Sequence, residues 1–251
     1  MIATAVRGIL LDIEGTTSSI RFVYEQLFPY ARRELRTFLS ENWETAALQA
    51  ACAQVARDVG AAGFGAWCAE QTPSDPQAAL AAHLLGLMEQ DSKATGLKLV
   101  QGLIWQEGYR LGRLRSHVYP DVPPALAEWQ RRGLDVRIYS SGSMAAQRVF
   151  FQFTEAGDLT TYLRGHYDTT IGAKRAAASY SAIARDMGLR PHDILFLSDV
   201  AAELDAARAT GVLTALVVRP GNVPVTETLH PQISSFAEVD VRAIAAQIGR
   251  R

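Results

Sequence analysis

Cysteine is scarce. Only Cys52 and Cys68 occur in 251 residues, both in alanine-rich stretches of helical pattern. With no second pair they supply neither a disulfide framework nor a four-ligand zinc site, and a reducing cytoplasm is the expected location. Long apolar runs are missing as well: no window approaches the ~18 residues of a membrane span. Arg7 and Asp12 interrupt the one apolar stretch near the start, and no small-residue cleavage pattern follows, so no signal peptide is expected. Charge of one sign is also lacking. Lysine and arginine total 25 against 26 acidic residues, a net charge of -1, and no basic run is interleaved with aromatics, which excludes the usual nucleic-acid footprint. The five histidines show no i, i+4 pair on one helix, which argues against a transition-metal centre. His83 falls in a leucine stripe and reads as a core or boundary residue, while His117 and His166 fall in loop-like stretches near the core without an assigned role.

What is present is an ordinary globular composition, 48% hydrophobic, long enough for one large domain or two modest ones. Ala5 to Leu11 is an apolar run broken only by Arg7 and Gly8, as suits a strand buried on both faces of a parallel sheet. From about Ile20 the period becomes helical through Val23, Leu27, Ala31, Leu35 and Phe38, with Pro29 admissible only in the first turn of a second helix. Further apolar stripes at Leu48–Val59, Leu80–Met88 and Leu97–Ile104 are separated by Pro73, Pro76 and Gly96, so residues 20–116 read as all-helical. Beyond "SHVYPDVPP" strands and helices alternate. Helices are expected near 123–132, from Met144, near 175–188 and at 201–210, and strands at Val136–Tyr139, "ILFLS" and "TALVV". The pattern predicts an α/β core of parallel strands, made from 1–19 and 117–251, with a helical domain of residues 20–116 inserted after the first strand.

In an open parallel sheet, ligands bind outside the carboxyl ends of the strands. Four polar groups are expected there: "DIEGTT", "YSSGS", Lys174 in "TTIGAKR", and "LSDVAAE". Asp12 and Glu14, two residues apart, face one side if strand geometry persists, and Gly15 permits a tight exit. A carboxylate at a strand tip can attack phosphorus while a neighbour handles protons. An acid followed by Gly-Thr-Thr equally serves as a helix cap. Ser140 and Ser141 offer hydroxyls and backbone N–H groups ahead of a helix, suited to an anion but common as plain caps. Lys174 can neutralise a phosphate oxygen or simply be solvated. Asp199 is the stronger signal, because a carboxylate ending a buried strand needs a partner, and Mg²⁺ is held by one or two such groups. Glu203, one turn on, either holds a water near the metal or caps its helix. Trp105 and Tyr109, one turn apart, read as packing residues or as part of a lid surface.

An acid pair on strand one, a serine after strand two, a lysine before a later helix and an acid after the next strand resemble, in that order, the haloacid dehalogenase superfamily of phosphatases. More narrowly, "DIEGTT", "YSSGS", "GHYDTTIGAK", "ILFLSDV" and "VVRPGN", with "QGLIW" in the insertion, resemble the enolase-phosphatases of methionine salvage over almost the whole chain. The resemblance implies a Rossmann-like core with an inserted all-helical cap domain that closes as a lid. It implies Asp12 as nucleophile and Mg²⁺ ligand, with Glu14 giving its backbone carbonyl to the metal and its side chain to proton handling. Ser140 and Ser141 would bind substrate, Lys174 would hold its phosphate, and Asp199 would complete the site for one Mg²⁺. Most phosphatases of the superfamily carry Asp two positions after the nucleophile; this chain has Glu, as the enolase-phosphatases do. The implied reaction is Mg²⁺-dependent enolisation of 2,3-diketo-5-methylthiopentyl-1-phosphate, then hydrolysis through an aspartyl-phosphate to the acireductone. The expected partner is a small phosphorylated metabolite, with no nucleic acid and no membrane, and the expected state is a monomer. The competing readings are a superfamily phosphatase for a different small metabolite and, in another class, a receiver-like or non-catalytic phosphate-binding module.

Overall fold

The computed structural model describes residues 2–3, 6–72, 75–225 and 227–241. Ala5, expected to open the first long strand, Pro73, expected as a helix break, and the end of the expected core at 242–251 lie outside them. In chain order the elements begin with β1 (Ile2–Ala3), β2 (Gly8–Leu11) and the short helix α1 (Ile20–Phe22), followed by a π-helical turn at Val23–Leu27. Five helices come next: α2 (Phe28–Asn42), α3 (Ala46–Asp58), α4 (Phe64–Ala69), α5 (Pro76–Glu89) and α6 (Thr95–Arg110). Alternation then sets in with α7 (Val122–Arg131), β3 (Asp135–Tyr139), α8 (Met144–Gln152), β4 (Gly165–Tyr167), α9 (Ala177–Met187), β5 (Ile194–Ser198), α10 (Ala201–Arg208) and β6 (Leu213–Val217). Two short strands, β7 (Gln232–Ile233) and β8 (Val239–Asp240), close the described chain.

The chain divides into two compact units, one of Met1–Val23 with Arg115–Arg251 and the other of Tyr24–Leu114. In the first unit six strands pair in the order β4-β3-β2-β5-β6-β7, all parallel, while β1 and β8 form a separate parallel pair. Strand β2 is central, with Leu11 opposite Ile138 on one side and Leu197 on the other. Its residues alternate between two cores. Ile9 and Leu11 join Trp129, Val136 and Phe151, whereas Leu10 joins Tyr180, Phe196 and Leu216. Burial on both faces is why the segment is apolar without alternation.

The first long strand is shorter than its apolar run. Gly8 opens it, although the Arg7 N–H already donates to the Asp193 carbonyl at 2.7 Å. Strand β4 is a correction to the loop expected around His166: the Arg137–Tyr139 edge pairs in parallel with Gly165–Tyr167. Only three residues long, with Gly and His in it, this strand leaves no alternation to read.

The second unit, by itself, is all-helical. Pro29 occupies the first turn of α2, where its missing N–H is harmless. The Trp105 indole donates to the Leu27 carbonyl at 2.8 Å, capping the end of the π turn, and Tyr109 is buried. Both therefore pack within this unit. Helices α3 and α6 approach so closely at Gly96 that a Cβ there would meet the Val55 backbone nitrogen at 2.8 Å.

Candidate active site

The ends of β2, β3 and β5 come out at one level of the first unit, because these strands pair in register. Asp12 follows β2 directly, and its backbone N–H continues the ladder by donating to the Leu197 carbonyl at 3.0 Å. The residue is 2% exposed, and both of its carboxylate oxygens have partners. The Ile13 N–H donates to Oδ1 at 2.8 Å, Lys174 Nζ lies 2.7 Å from the same oxygen, and the Ser198 hydroxyl reaches Oδ2 at 3.1 Å. Such a carboxylate is fixed in orientation before any ligand arrives.

Lys174 also lies 2.7 Å from Glu203 Oε2. The segment that carries it is held by two tyrosine side chains: the Tyr180 hydroxyl donates to the Lys174 carbonyl at 2.7 Å, and the Tyr139 hydroxyl donates to the Gly172 carbonyl at 2.9 Å. Burial alone would depress the ammonium, but Asp12 and then Glu203 more than reverse this, and the Lys174 pKa is raised. Lys174 is therefore a permanent cation.

Glu14, half-buried, accepts from the Ser140 hydroxyl at 3.4 Å, while the Ser140 oxygen accepts from the Gly142 N–H at 3.2 Å. Ser140 is buried at the end of β3 and Ser141, next in the loop, is exposed. The loop is pinned from below by Gln147, whose Nε2 donates to the carbonyls of Gly142 and Tyr167 at 2.7 and 2.8 Å. Asp199 follows β5 and lies against Gly15, which has φ of +70°; a Cβ at Gly15 would overlap the Asp199 carboxylate. Only glycine admits that approach.

Four carboxyl groups, those of Asp12, Glu14, Asp199 and Glu203, thus act on one another around a single ammonium. Burial, and then the charge of Asp12, push Glu14 and Glu203 above the ordinary carboxylate range. The same two causes raise Asp199 to about 7. A hard divalent cation would relieve that excess of negative charge, and the donors offered are all oxygens. Among the described residues no three His, Cys, Asp or Glu side chains converge as a closed metal cage. Asp12 and Asp199 offer two oxygen-donor carboxylates, a donor set that suits Mg²⁺, which keeps several waters, rather than a structural zinc.

The structure therefore brings Asp12, Glu14, Ser140, Lys174 and Asp199 together, with Ser141 at the loop surface. Three further participants have no settled place in the sequence pattern. Glu203 bridges Lys174 and Ser198; its spacing of four from Asp199 was the available signal. Ser198, the last residue of "ILFLS", has one hydroxyl proton to share between Asp12 and Glu203. Gln147 carries no motif, since its role depends on where β4 ends.

A family model described as haloacid dehalogenase-like hydrolase matches residues 6–211. Enolase-phosphatase E1 of Yersinia enterocolitica is 42% identical over 241 residues, covering 96% of this chain and 100% of that protein. The protein of the same name from Pseudomonas aeruginosa is 45% identical over 236 residues, covering 94% and 99% respectively. Among solved structures, the UTR4 protein of Saccharomyces cerevisiae is 32% identical with a TM-score of 0.77, covering 93% of this chain and 99% of that one. An L-2-haloacid dehalogenase, 18% identical with a TM-score of 0.53 over 92% and 96% of the two chains, shares the fold.

Proposed function

The chain belongs to the haloacid dehalogenase-like hydrolase family and, within it, to the enolase-phosphatases, and from that membership we propose that it converts 2,3-diketo-5-methylthiopentyl-1-phosphate to the acireductone 1,2-dihydroxy-3-keto-5-methylthiopentene and phosphate. The observation that carries the chemistry is the Asp12 carboxylate, immobilised between Lys174 and Ser198 at the tip of the central strand. One Mg²⁺, held by Asp12, Asp199 and the Glu14 carbonyl, would supply electrostatic stabilisation of enolate charge first and phosphoryl charge second.

This chain's own residues do the rest. Asp12 attacks phosphorus, forming an aspartyl-phosphate as the ester P–O bond breaks; water then cleaves that acyl phosphate and restores the carboxylate. Glu14, its pKa raised by burial and by Asp12, carries the proton that the leaving oxygen takes and recovers one from the attacking water. Lys174 meets the phosphate oxygens as a fixed positive charge, and Ser140 and Ser141 hold the substrate through hydroxyls and backbone N–H groups. Residues 20–116 take the part of the family's cap domain in this reading. The enzyme works as a monomer in the cytoplasm, where its thiols stay reduced. Neither thiol is a competing nucleophile: both are buried, and burial pushes Cys52 up to about 11.

The test is anaerobic incubation with the diketone phosphate, following enediol absorbance and phosphate together. Both signals are expected, abolished by a chelator and restored by Mg²⁺. Asp12→Asn lowers phosphate release by about 10³-fold or more with an unchanged circular dichroism spectrum. Wild-type turnover in that variant refutes the nucleophile; phosphate from sugar phosphates without an enediol signal refutes the substrate.

A further inference from the structure

The "RPGN" loop after β6 has no place in the chemistry above, yet it reaches the turn that follows the nucleophile. Asn222 Nδ2 donates to the Gly15 carbonyl at 2.8 Å and to the Val217 carbonyl at 3.2 Å. Two carbonyl partners fix which terminal atom is nitrogen. The other atom, Oδ1, is buried and has no hydrogen-bond partner among the described residues.

The position of that orphan is informative. A Cβ built on Gly15 would lie 3.0 Å from Asn222 Oδ1 and would overlap the Asp199 carboxylate, so both acceptors face the same side of one Cα. Buried acceptors without a donor are rare and costly, and a carboxylate beside one repels it. What the pair lacks is a group that presents positive charge to Asp199 and a hydrogen to Asn222. A hydrated cation presents both.

We propose that Asn222 is a positioning residue for the cation site: its amide nitrogen holds the Asp12–Gly15 turn, and its buried Oδ1 accepts a hydrogen bond from water carried by the cation that Asp12 and Asp199 bind. The inference rests on the Mg²⁺ reading of those two carboxylates. It assigns a role in metal binding to a loop whose nearest strand tip, Val217, belongs to neither ligand.

Calorimetric titration of the whole protein with Mg²⁺, paired with melting temperatures in chelator and in Mg²⁺, tests it. Asn222→Ala loses both functions and should bind Mg²⁺ about 10-fold more weakly or worse, the range for an outer-shell partner, with a smaller rise in melting temperature on adding the ion. Asn222→Asp keeps an acceptor while losing the donor; it should bind Mg²⁺ at least as tightly as wild type while its metal-free melting temperature falls. Wild-type affinity in the alanine variant overturns the proposal. So does an aspartate variant weakened 10-fold, and that comparison decides alone if the alanine variant fails to fold. Should the wild-type protein bind no Mg²⁺ at all, the failure is that of the cation site and not of Asn222.

Discussion

Lys174 shows how a buried charge becomes affordable. An ammonium removed from water is strongly penalised, but two carboxylates at 2.7 Å hold it charged, and removing the lysine would leave both of them buried without a counter-charge. His166 shows the opposite outcome. Its Nδ1 faces Gln147 Oε1 at 3.2 Å, and since the Gln147 amide nitrogen is already donating, that contact requires the hydrogen on His166. Burial, assisted by the charge of Arg148, lowers the imidazole from 6.5 to about 4, so the folded protein keeps it neutral where the unfolded chain would protonate it. The unfolded state binds more protons across that window, and stability must rise with pH there. The contribution is complete above about pH 6.5 and is lost progressively as pH falls towards 4. Melting curves at pH 7 and pH 5 should show a larger drop for wild type than for His166→Gln; equal drops would mean that the ring stays accessible to protons.

At the scale of elements, the helices of the second unit are set by close approach as much as by their apolar stripes. Gly96 in the first turn of α6 donates its N–H to Asp58 Oδ2 at 2.6 Å and leaves room for the Val55 backbone. Replacing glycine by alanine in a helix ordinarily gains up to about 1 kcal/mol from propensity. Here the added methyl collides with backbone that cannot swing aside, and Gly96→Ala should instead lose about 1–3 kcal/mol. Urea denaturation decides the sign, and a stabilised variant would show that the two helices can separate at little cost.

Elements with strong local signals were legible. "ILFLS" became β5 because five consecutive apolar or small residues bury both faces, and Met144 opens α8 because Ser143 caps it, its Oγ accepting from the Ala146 N–H at 3.2 Å. Strand β4, β7 and the π turn were not legible, since each depends on a neighbour: β4 on the edge of β3, β7 on β6, and the turn on Trp105. The candidate site divides in the same way. Asp12 and Asp199 stand out as acids at the ends of apolar runs, and Lys174 only by its place ahead of an expected helix. Asn222, Gln147 and Ser198 are ordinary polar residues until the strand tips are in place.

At the scale of the whole parallel-sheet unit, Arg219 ties together segments that are remote along the chain. It forms a two-pronged pair with Asp121 at 3.0 and 2.9 Å, donates to the carbonyls of Thr16 and Ser234, and lies between the rings of Tyr119 and Phe236. Asp121 additionally accepts from the Phe236 N–H at 2.6 Å. Burial works to raise this carboxyl, but the guanidinium and that N–H outweigh it and hold it below the usual range. Asp121→Asn leaves a guanidinium buried without its counter-charge and should cost about 3–5 kcal/mol in chemical denaturation. A loss below about 1 kcal/mol would mean that water replaces the carboxylate.

The central position of β2 has a consequence for how the molecule is made. Translation delivers this strand before either of its neighbours, and its two edges are satisfied only by segments beginning at Asp135 and Ile194. A sticky apolar ribbon therefore waits with both flanks open until β3 is made, and with one flank open until β5 follows. Pairings so distant along the chain slow the search for the native topology and expose the nascent polypeptide to clumping. Assembly of the Asp12–Asp199 cluster and escape from that hazard then arrive in the same event, the docking of the strand that carries Asp199 to its tip.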